Sequence, residues 1–231
     1  MSGEAVVLQR PAAMRFRTKQ EFVYKTLRDA IMRCELAPQQ RLVIEDLARE
    51  LQVSASPVRE ALQLLQSEGL VTNVPHTGAT VSPIARESIT EVFELMEGLE
   101  IVATRTTAQR MTAKDTAGFD EIVTAMDEAL RARRYEEWAD LNTRFHLTIS
   151  RLSAMPMLHE MTERVLSHWD RLRRYYFDGV LSHRIEQAQD EHRSLLAAMR
   201  ARDLPALEQI VKQHNRGALL AYAEYLKGRS D

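Results

Sequence analysis

The run Val53-Ser54-Ala55-Ser56-Pro57-Val58-Arg59-Glu60-Ala61-Leu62-Gln63-Leu64-Leu65-Gln66-Ser67-Glu68-Gly69-Leu70 constrains the fold more than any other stretch of the chain. It marks the start, both faces and the end of one helix. Serine ahead of proline supplies a hydroxyl for the unpaired N–H groups of a first turn, and proline at the first helical position forfeits no hydrogen bond. The spacing therefore predicts a helix start near Ser54 to Pro57. Gly69 can close the helix in a left-handed cap. Between these limits Val58, Ala61, Leu62 and Leu65 form one apolar stripe, while Arg59, Gln63 and Gln66 project from the other side. One face packs, and the other is free to read a partner.

The neighbours of this helix complete a small module. Glu45 to Leu51 predicts a short helix with Leu47, Ala48 and Leu51 on one face, and only Gln52 and Val53 separate it from the next start, which is helix-turn-helix spacing. Phe22, Val23, Thr26, Leu27, Ala30 and Ile31 stripe an earlier helix that ends before Pro38. After Gly69, the residues Leu70, Val71 and Val74 lead through Pro75-His76-Thr77-Gly78 into Ala79-Thr80-Val81, a two-stranded hairpin of the kind called a wing. A hydroxyl-rich helix start followed by an arginine suits phosphate and base edges, because N–H groups and the helix dipole favour an anion there. From the residues alone, a three-helix interaction module with a solvated polar face fits the same pattern.

The arrangement Leu42, Leu47-Ala48, Val53-Ser54, Pro57-Val58-Arg59-Glu60-Ala61-Leu62, Glu68-Gly69-Leu70-Val71, Gly78 and Val81 resembles the winged helix of the GntR family of bacterial transcription regulators. The resemblance implies contact with double-stranded operator DNA by Ser54, Ser56 and Arg59 at the recognition helix and by His76 and Gly78 at the wing tip. The family often carries arginine where this chain has Ala55. The missing guanidinium removes a bidentate guanine contact worth about 1–3 kcal/mol of discrimination. Glycines common in the family before and after the first loop are replaced by Cys34 and Gln39.

A chain of 231 residues exceeds ordinary single-domain size, so two compact domains are expected. Net charge is only −2, and residues 1 to 84 hold ten Lys and Arg against nine Asp and Glu, so no basic field advertises nucleic acid. DNA binding would rest on local placement. Residues 1 to 33 do carry seven basic and three acidic side chains, and 1–18 reads as a flexible arm for want of an apolar period. Cys34 is the only cysteine, which excludes a disulfide within the chain and suits a reducing cytoplasm, with the thiol buried. No apolar run approaches the ~20 residues of a membrane span, and the N-terminus lacks a signal-peptide core.

From Arg86 onward no convincing strand appears. Long amphipathic segments are interrupted at Thr112 to Asp115, Ala154 to Pro156, Asp178-Gly179 and Asp203 to Pro205, and six helices are expected. Their stripes include Val92, Leu95, Met96 and Leu99; Phe119, Ile122, Val123, Met126 and Leu130; and Trp138, Leu141, Phe145, Ile149 and Leu152. Short connections favour an antiparallel bundle. The fold class is thus mainly α, with a winged helix-turn-helix over 19–84 followed by an all-α six-helix bundle over 85–231.

His192 lies on the stripe of Ile185, Ala188, Leu195, Leu196 and Met199, and His214 on that of Leu207, Ile210, Val211, Ala218 and Ala221. Asn142 and His146, one turn apart, point the same way from a third helix. Three helices thus aim imidazoles at one interior. Neutral imidazoles are common ligands of divalent zinc, nickel or copper, whereas bundle histidines also serve as plain core residues. His159, His168 and His183 read as surface or second-layer residues, Arg171, Arg173 and Arg174 as a solvated face, and Tyr175, Tyr176 and Phe177 as packing.

Asn142-Thr143-Arg144-Phe145-His146, Glu191-His192 with Leu195-Leu196, Ala198-Met199 and Asp203, and then His214 resemble the helical ligand-binding domain called FCD, found in the FadR subfamily. The resemblance implies a divalent transition metal, zinc or nickel, held by Asn142, His146, His192 and His214, and an organic-acid effector that approaches it. It also implies that residues 85–231 bind effector and dimerise. Asn142 replaces a frequent aspartate, and Met96 stands where relatives often carry an arginine able to hold a carboxylate, so an uncharged effector stays open. An enzyme is the contrasting class, since three histidines around a metal could activate water. No Gly-rich phosphate loop, nucleophile elbow or His-Glu-x-x-His helix supports it, and Glu191 is expected to point away from His192. The reading is a cytoplasmic homodimeric DNA-binding regulator, with a DNA-binding dimer whose metal is structural or absent as the alternative.

Overall fold

In the computed structural model, residues 18–74, 78–176, 180 and 182–227 are described. The expected arm over 1–18, apart from Thr18, lies outside them, as do the Pro75-His76-Thr77 turn, Phe177 and the Asp178-Gly179 break. The chain divides into two compact units, Met1–Ala85 and Arg86–Asp231.

In the first unit α1 (Lys19–Met32), α2 (Ile44–Leu51) and α3 (Ala55–Ser67) precede the strands β1 (Val71–Val74) and β2 (Gly78–Val81). Val23, Leu27, Ile31, Leu36, Leu51, Val58, Ala61, Leu65 and Val81 form one buried cluster. Ser54 is the extended residue ahead of α3, but its side chain makes no capping bond. Pro57 is the third helical residue rather than the first. Its missing N–H still belongs to the first turn, where no intrahelical acceptor exists, so the misplacement costs nothing. The end is as the sequence demands: Gly69 has φ +72°, Leu70 N–H donates to Leu65 O at 2.9 Å and Gly69 N–H to Gln66 O at 3.0 Å. These two bonds are the Schellman pair that satisfies the last carbonyls.

The strands pair antiparallel with Val71 opposite Val81 and Val74 opposite Gly78. The loop after α1 lies along β2, with Gln39 N–H donating to Val81 O and Leu42 N–H to Ala79 O. Cys34 and Gln39, which stand where the resemblance expects glycine, take φ +58° and +67°. The left-handed turn is kept at roughly 1–2 kcal/mol per non-glycine residue, offset by these ladder bonds. Cys34 is half-buried rather than fully buried.

The second unit contains α4 (Arg86–Arg110), α5 (Ala113–Arg131), α6 (Tyr135–Leu152), α7 (Pro156–Tyr175), α8 (Ser182–Ala201) and α9 (Leu204–Lys227). α4 touches α6, α7, α8 and α9 and so runs through the middle of the bundle. α5 opens on a capping box in which Thr112 Oγ1 accepts from Asp115 N–H and Asp115 accepts from Thr112 N–H at 2.9 Å. Arg133, Ala154 and Arg202 close three helix connections with φ near +55° (56°, 54° and 54°). The break around Arg133 carries no glycine or proline, which is why the sequence hides it. Phe119, Met126, Trp138, Phe145, Ile149, Met199, Leu207 and Val211 are buried together. No described helix is long and apolar enough to cross a membrane.

Three expectations fail here. Leu95 is 48% exposed although it shares a stripe with the buried Val92 and Met96. Tyr175 is 47% exposed, stacked edge-on against Tyr176. Most clearly, Arg171 and Arg173 are buried. Arg173 donates to Glu136 at 2.9 Å, to Asp140 at 2.8 Å and to Asp170, and it lies over the Trp169 ring at 5.8 Å. A face of alternating arginines reads as solvated only until α6 supplies the carboxylates that cover it.

Glu136 and Asp140 keep more than half their surface in water (56% and 68%), so each can lose its partner cheaply, while the guanidinium cannot. Arg173→Ala should destabilise the chain by about 3 kcal/mol in urea titration, whereas Glu136→Gln or Asp140→Asn should each cost under about 1 kcal/mol. Equal losses from all three variants would contradict this asymmetry.

Candidate functional site

The bundle interior brings together the three histidines that the sequence aimed inward. Asn142 and His146 occupy successive turns of α6, and Asn142 Oδ1 lies 3.2 Å from His146 Nε2. His192 Nε2, from α8, lies 3.3 Å from the same nitrogen. His214 on α9 completes the group, its ring centroid 4.8 Å from that of His192, and one ligand atom from each of the three rings falls within 4.8 Å of the others. Phe145 and Trp138 flank His192 at ring distances of 5.1 and 5.8 Å, which fix its orientation by packing.

Two carboxylates that the sequence reading did not place in the site lie behind these rings. Glu100, on α4, is 3% exposed, and its Oε1 forms an ion-pair contact with His146 Nδ1 that lies off the direct hydrogen-bond line. Its Oε2 accepts from Asn215 Nδ2 at 2.7 Å. Burial pushes the Glu100 carboxyl up, but His146, His214 and Asn215 together outweigh it and leave its pKa below the ordinary value. Glu191 does point away from His192, as expected, yet it remains part of the site. Its Oε2 accepts from His214 Nδ1 at 2.8 Å and from Arg184 Nη2. Burial raises its carboxyl, and the hydrogen bonds from His214 and Arg184 prevail in lowering it. His192 has no such support: its Nδ1 is buried without a partner among the described residues, and burial, then the neighbouring His214, His146 and Arg184, hold its pKa well below the usual range.

The chemical consequence follows from proton placement. A carboxylate at Nδ1 fixes the proton on that nitrogen and leaves Nε2 with a lone pair. His214 is arranged in this way by Glu191, and Glu100 stands beside His146 Nδ1 as an ion-pair contact. The nitrogens of the three rings and the Asn142 oxygen face one another, an arrangement that could hold a cation. The separation of 3.3 Å between two of the nitrogens is close to the roughly 3.3 Å set by two ligands at ~2.0–2.1 Å from one tetrahedral ion.

Beside the cluster opens a small cavity of about 50 Å3, lined by Phe93, Met96, Trp169, Tyr222 and Arg184 together with the site residues Glu100, His146 and His214. A signal for Glu100 existed in the sequence, since it falls on the α4 stripe of Val92, Met96 and Ala103, where a carboxylate needs a partner. Arg184, Ala188 and Glu191 likewise share one face of α8. Of the secondary histidines, His159 is half-buried and bonds Ser150 Oγ at 2.8 Å, and His168 is half-buried. The side chain of His183 lies outside the described residues.

In the first unit Ser54, Ser56 and Arg59 are all exposed at the start of α3, with Ser56 Oγ donating to Glu60 at 3.0 Å. Val58, Ala61, Leu62 and Leu65 on the opposite face are buried, so the division between the packing face and the free face is the one the spacing required. Gly78 opens β2 with φ +85°, a conformation that favours glycine. His76 lies outside the described residues.

Residues 19–81 match the family described as "Bacterial regulatory proteins, gntR family", and residues 91–217 match the FCD domain. An HTH-type transcriptional regulator in an unstable DNA locus of Streptomyces ambofaciens is 30% identical over 87% of this chain and 83% of its own length. The HTH-type transcriptional regulator McbR of Escherichia coli K12 is 28% identical over 73% and 76%. The solved structure of E. coli McbR/YncC superposes with a TM-score of 0.72 at 24% identity, covering 91% of this chain and all of that one, which shows the shared fold.

Because burial keeps His192 neutral, the unfolded chain binds more protons than the folded one below its ordinary value of 6.5. Chelator-treated protein should therefore hold its full stability above that pH and lose it as the pH falls. Glu100 and Glu191 add a further loss below their ordinary 4.5. Thermal melts across this range check the sign, and a melting temperature that rose on acidification would contradict it.

Proposed function

The chain belongs to the GntR family of bacterial regulatory proteins and carries an FCD domain, and from that premise we propose that it is a transcription regulator whose grip on an operator is set by a small organic effector bound beside a metal in the helical unit. The observation that carries the effector half of the reading is the convergence of imidazole nitrogens whose outer nitrogens meet Glu100 and Glu191. Carboxylate-backed histidines around one point are how proteins orient metal ligands and raise their basicity. His146, His192, His214 and the Asn142 oxygen would hold a divalent transition ion, zinc or nickel. When bound, such an ion supplies a positive centre for an electron-rich group of the effector. Glu100 and Glu191 keep the rings in register, and the apolar walls exclude water.

For the DNA half, Ser54, Ser56 and Arg59 are the side chains that α3 presents, with Gly78 and His76 assigned to the wing tip. Arg59 would read a base edge, and the serines would hold phosphate. A single small module seldom reaches specific affinity alone, so the working form is a homodimer on a two-fold related operator. The effector then acts through its different affinity for two dimer arrangements. A DNA-binding dimer with a purely structural ion is separated from this reading by its response to ligand. Under the proposal, a chelator lowers the melting temperature and particular organic acids raise it further than metal alone. Stabilisation by metal with no acid adding to it would favour the structural ion.

Arg59→Ala should weaken binding to the chain's own upstream DNA at least about fivefold in a gel-shift titration while leaving the circular dichroism unchanged, the loss expected of one good base contact at about 1–3 kcal/mol. His192→Ala and His214→Ala should each lower metal content by elemental analysis. Unchanged operator affinity, or full metal retention, would remove the respective assignment.

A further inference from the structure

The outer side of α4 presents one continuous face to water. Glu91, Glu94, Leu95, Gly98, Val102 and Arg105 are all exposed. At 3.6 residues per turn the six fall within about 60° of the Gly98 direction, so they share that face. Its centre is apolar, with Leu95 and Val102 at 48% and 42% exposure on either side of the glycine. Its ends carry opposite charge: Glu91 and Glu94 come before the glycine, and Arg105 comes after it. Neither glutamate has an ion-pair partner among the described residues. Arg105 stands near Glu208, whose own bond is to Lys212 at 2.7 Å.

Glycine inside a helix costs about 1 kcal/mol relative to alanine. Gly98 is helical, and an added Cβ there would meet nothing within 4 Å, so no neighbour in the protomer requires the side chain to be missing. A second helix crossing at this point does require it. Packed helix axes lie about 8–10 Å apart according to the side chains at the contact, and a glycine at the crossing brings them to the close end of that range.

Symmetry decides how a second copy of α4 can lie there. A two-fold contact sets residue i against j and j against i. In an antiparallel crossing centred on Gly98, residues equally distant from it in sequence meet. Glu91 and Arg105 both lie seven residues from it, and Leu95 and Ile101 both lie three, with Val102 next to Ile101. A parallel crossing would instead oppose Glu91 to Glu91 and Arg105 to Arg105, and like charges repel. The face complements itself in one direction only.

We propose that this face of α4 is the centre of a homodimer interface, in which α4 crosses the α4 of a second copy antiparallel at Gly98. Leu95 and Val102 pack across the two-fold axis, and Arg105 pairs with the partner's Glu91. The proposal rests on the homodimer reading given above and specifies its surface. The apolar centre supplies the burial, and the two symmetry-related ion pairs set the register. Phe93, Met96 and Glu100, on the opposite side of the same helix, line the cavity beside the histidines, so one helix borders both.

The test is sedimentation equilibrium of the full chain over a range of protein concentrations. Wild-type protein should be dimeric. Glu91→Arg and Arg105→Glu each set like charges together twice in the dimer, and each should raise its dissociation constant at least about tenfold. The double variant exchanges the signs and makes every pair opposite again, so it should return to within about threefold of wild type. Gly98→Leu should raise the constant at least about tenfold by overfilling the crossing, while the circular dichroism stays native because the site is exposed. A dimer indifferent to either reversal or to Gly98→Leu overturns this surface and leaves the homodimer reading standing. Reversals that weaken the dimer without recovery in the double variant overturn the proposed crossing. Wild-type protein that stays monomeric overturns the surface and the homodimer reading together.

Discussion

The organisation of the helical unit turns on two carboxylates buried behind two imidazoles. Glu100 and Glu191 are 3% and 7% exposed, and a buried carboxylate persists only where charge and hydrogen bonds replace the water it has lost. His146 with Asn215 performs this for Glu100, and His214 with Arg184 for Glu191. The same contacts decide which nitrogen of each ring faces the interior. The constraint therefore ties α4, α6, α8 and α9 together and gathers three imidazoles at one point among them. Aromatic packing does the rest, since Phe145 and Trp138 leave His192 little rotational freedom.

The two units solve opposite problems. In the winged unit α3 buries Val58, Ala61 and Leu65 and leaves Ser54, Ser56 and Arg59 in water, where the proposed contacts would be made. Left-handed residues at Cys34 and Gln39 are tolerated because the loop they shape adds backbone bonds to β2. In the helical unit the clustered polar groups are inside, and a buried charge there requires an answer from a neighbouring side chain or helix. Arg173 shows the structural version of that rule, with Glu136, Asp140 and Asp170 around it; Arg184 shows the version in which the answer is incomplete.

Much of this was legible from residue patterns, for reasons that can be named. Periodicity finds a helix when one face is apolar, so α3 and its stripe, the Gly69 cap and the inward aim of His146, His192 and His214 could be read directly. It failed where no punctuating residue marks the chain, as at Arg133, and where the fate of a charge depends on another element. Local spacing puts Arg171 and Arg173 in solvent, because nothing local reveals that α6 covers Arg173 with carboxylates. The stripe puts Leu95 in the core, because a stripe shows direction without showing whether a neighbour lies opposite; it is 48% exposed.

The sequence by itself determined the end of α3 at Gly69, the split between a face that packs and a face left in water in that helix, the hairpin after it, and the three imidazoles facing inward. Each depends on residues within a few turns of one another, where backbone geometry fixes direction. Only tertiary structure decided that Glu100 backs His146, that Glu191 serves His214 rather than His192, and that Arg184 faces a cavity with open donors. Those pairings join residues of different turns and different helices. Their partners are selected by packing distance and by the cost of burying charge, and neither quantity is encoded in local spacing.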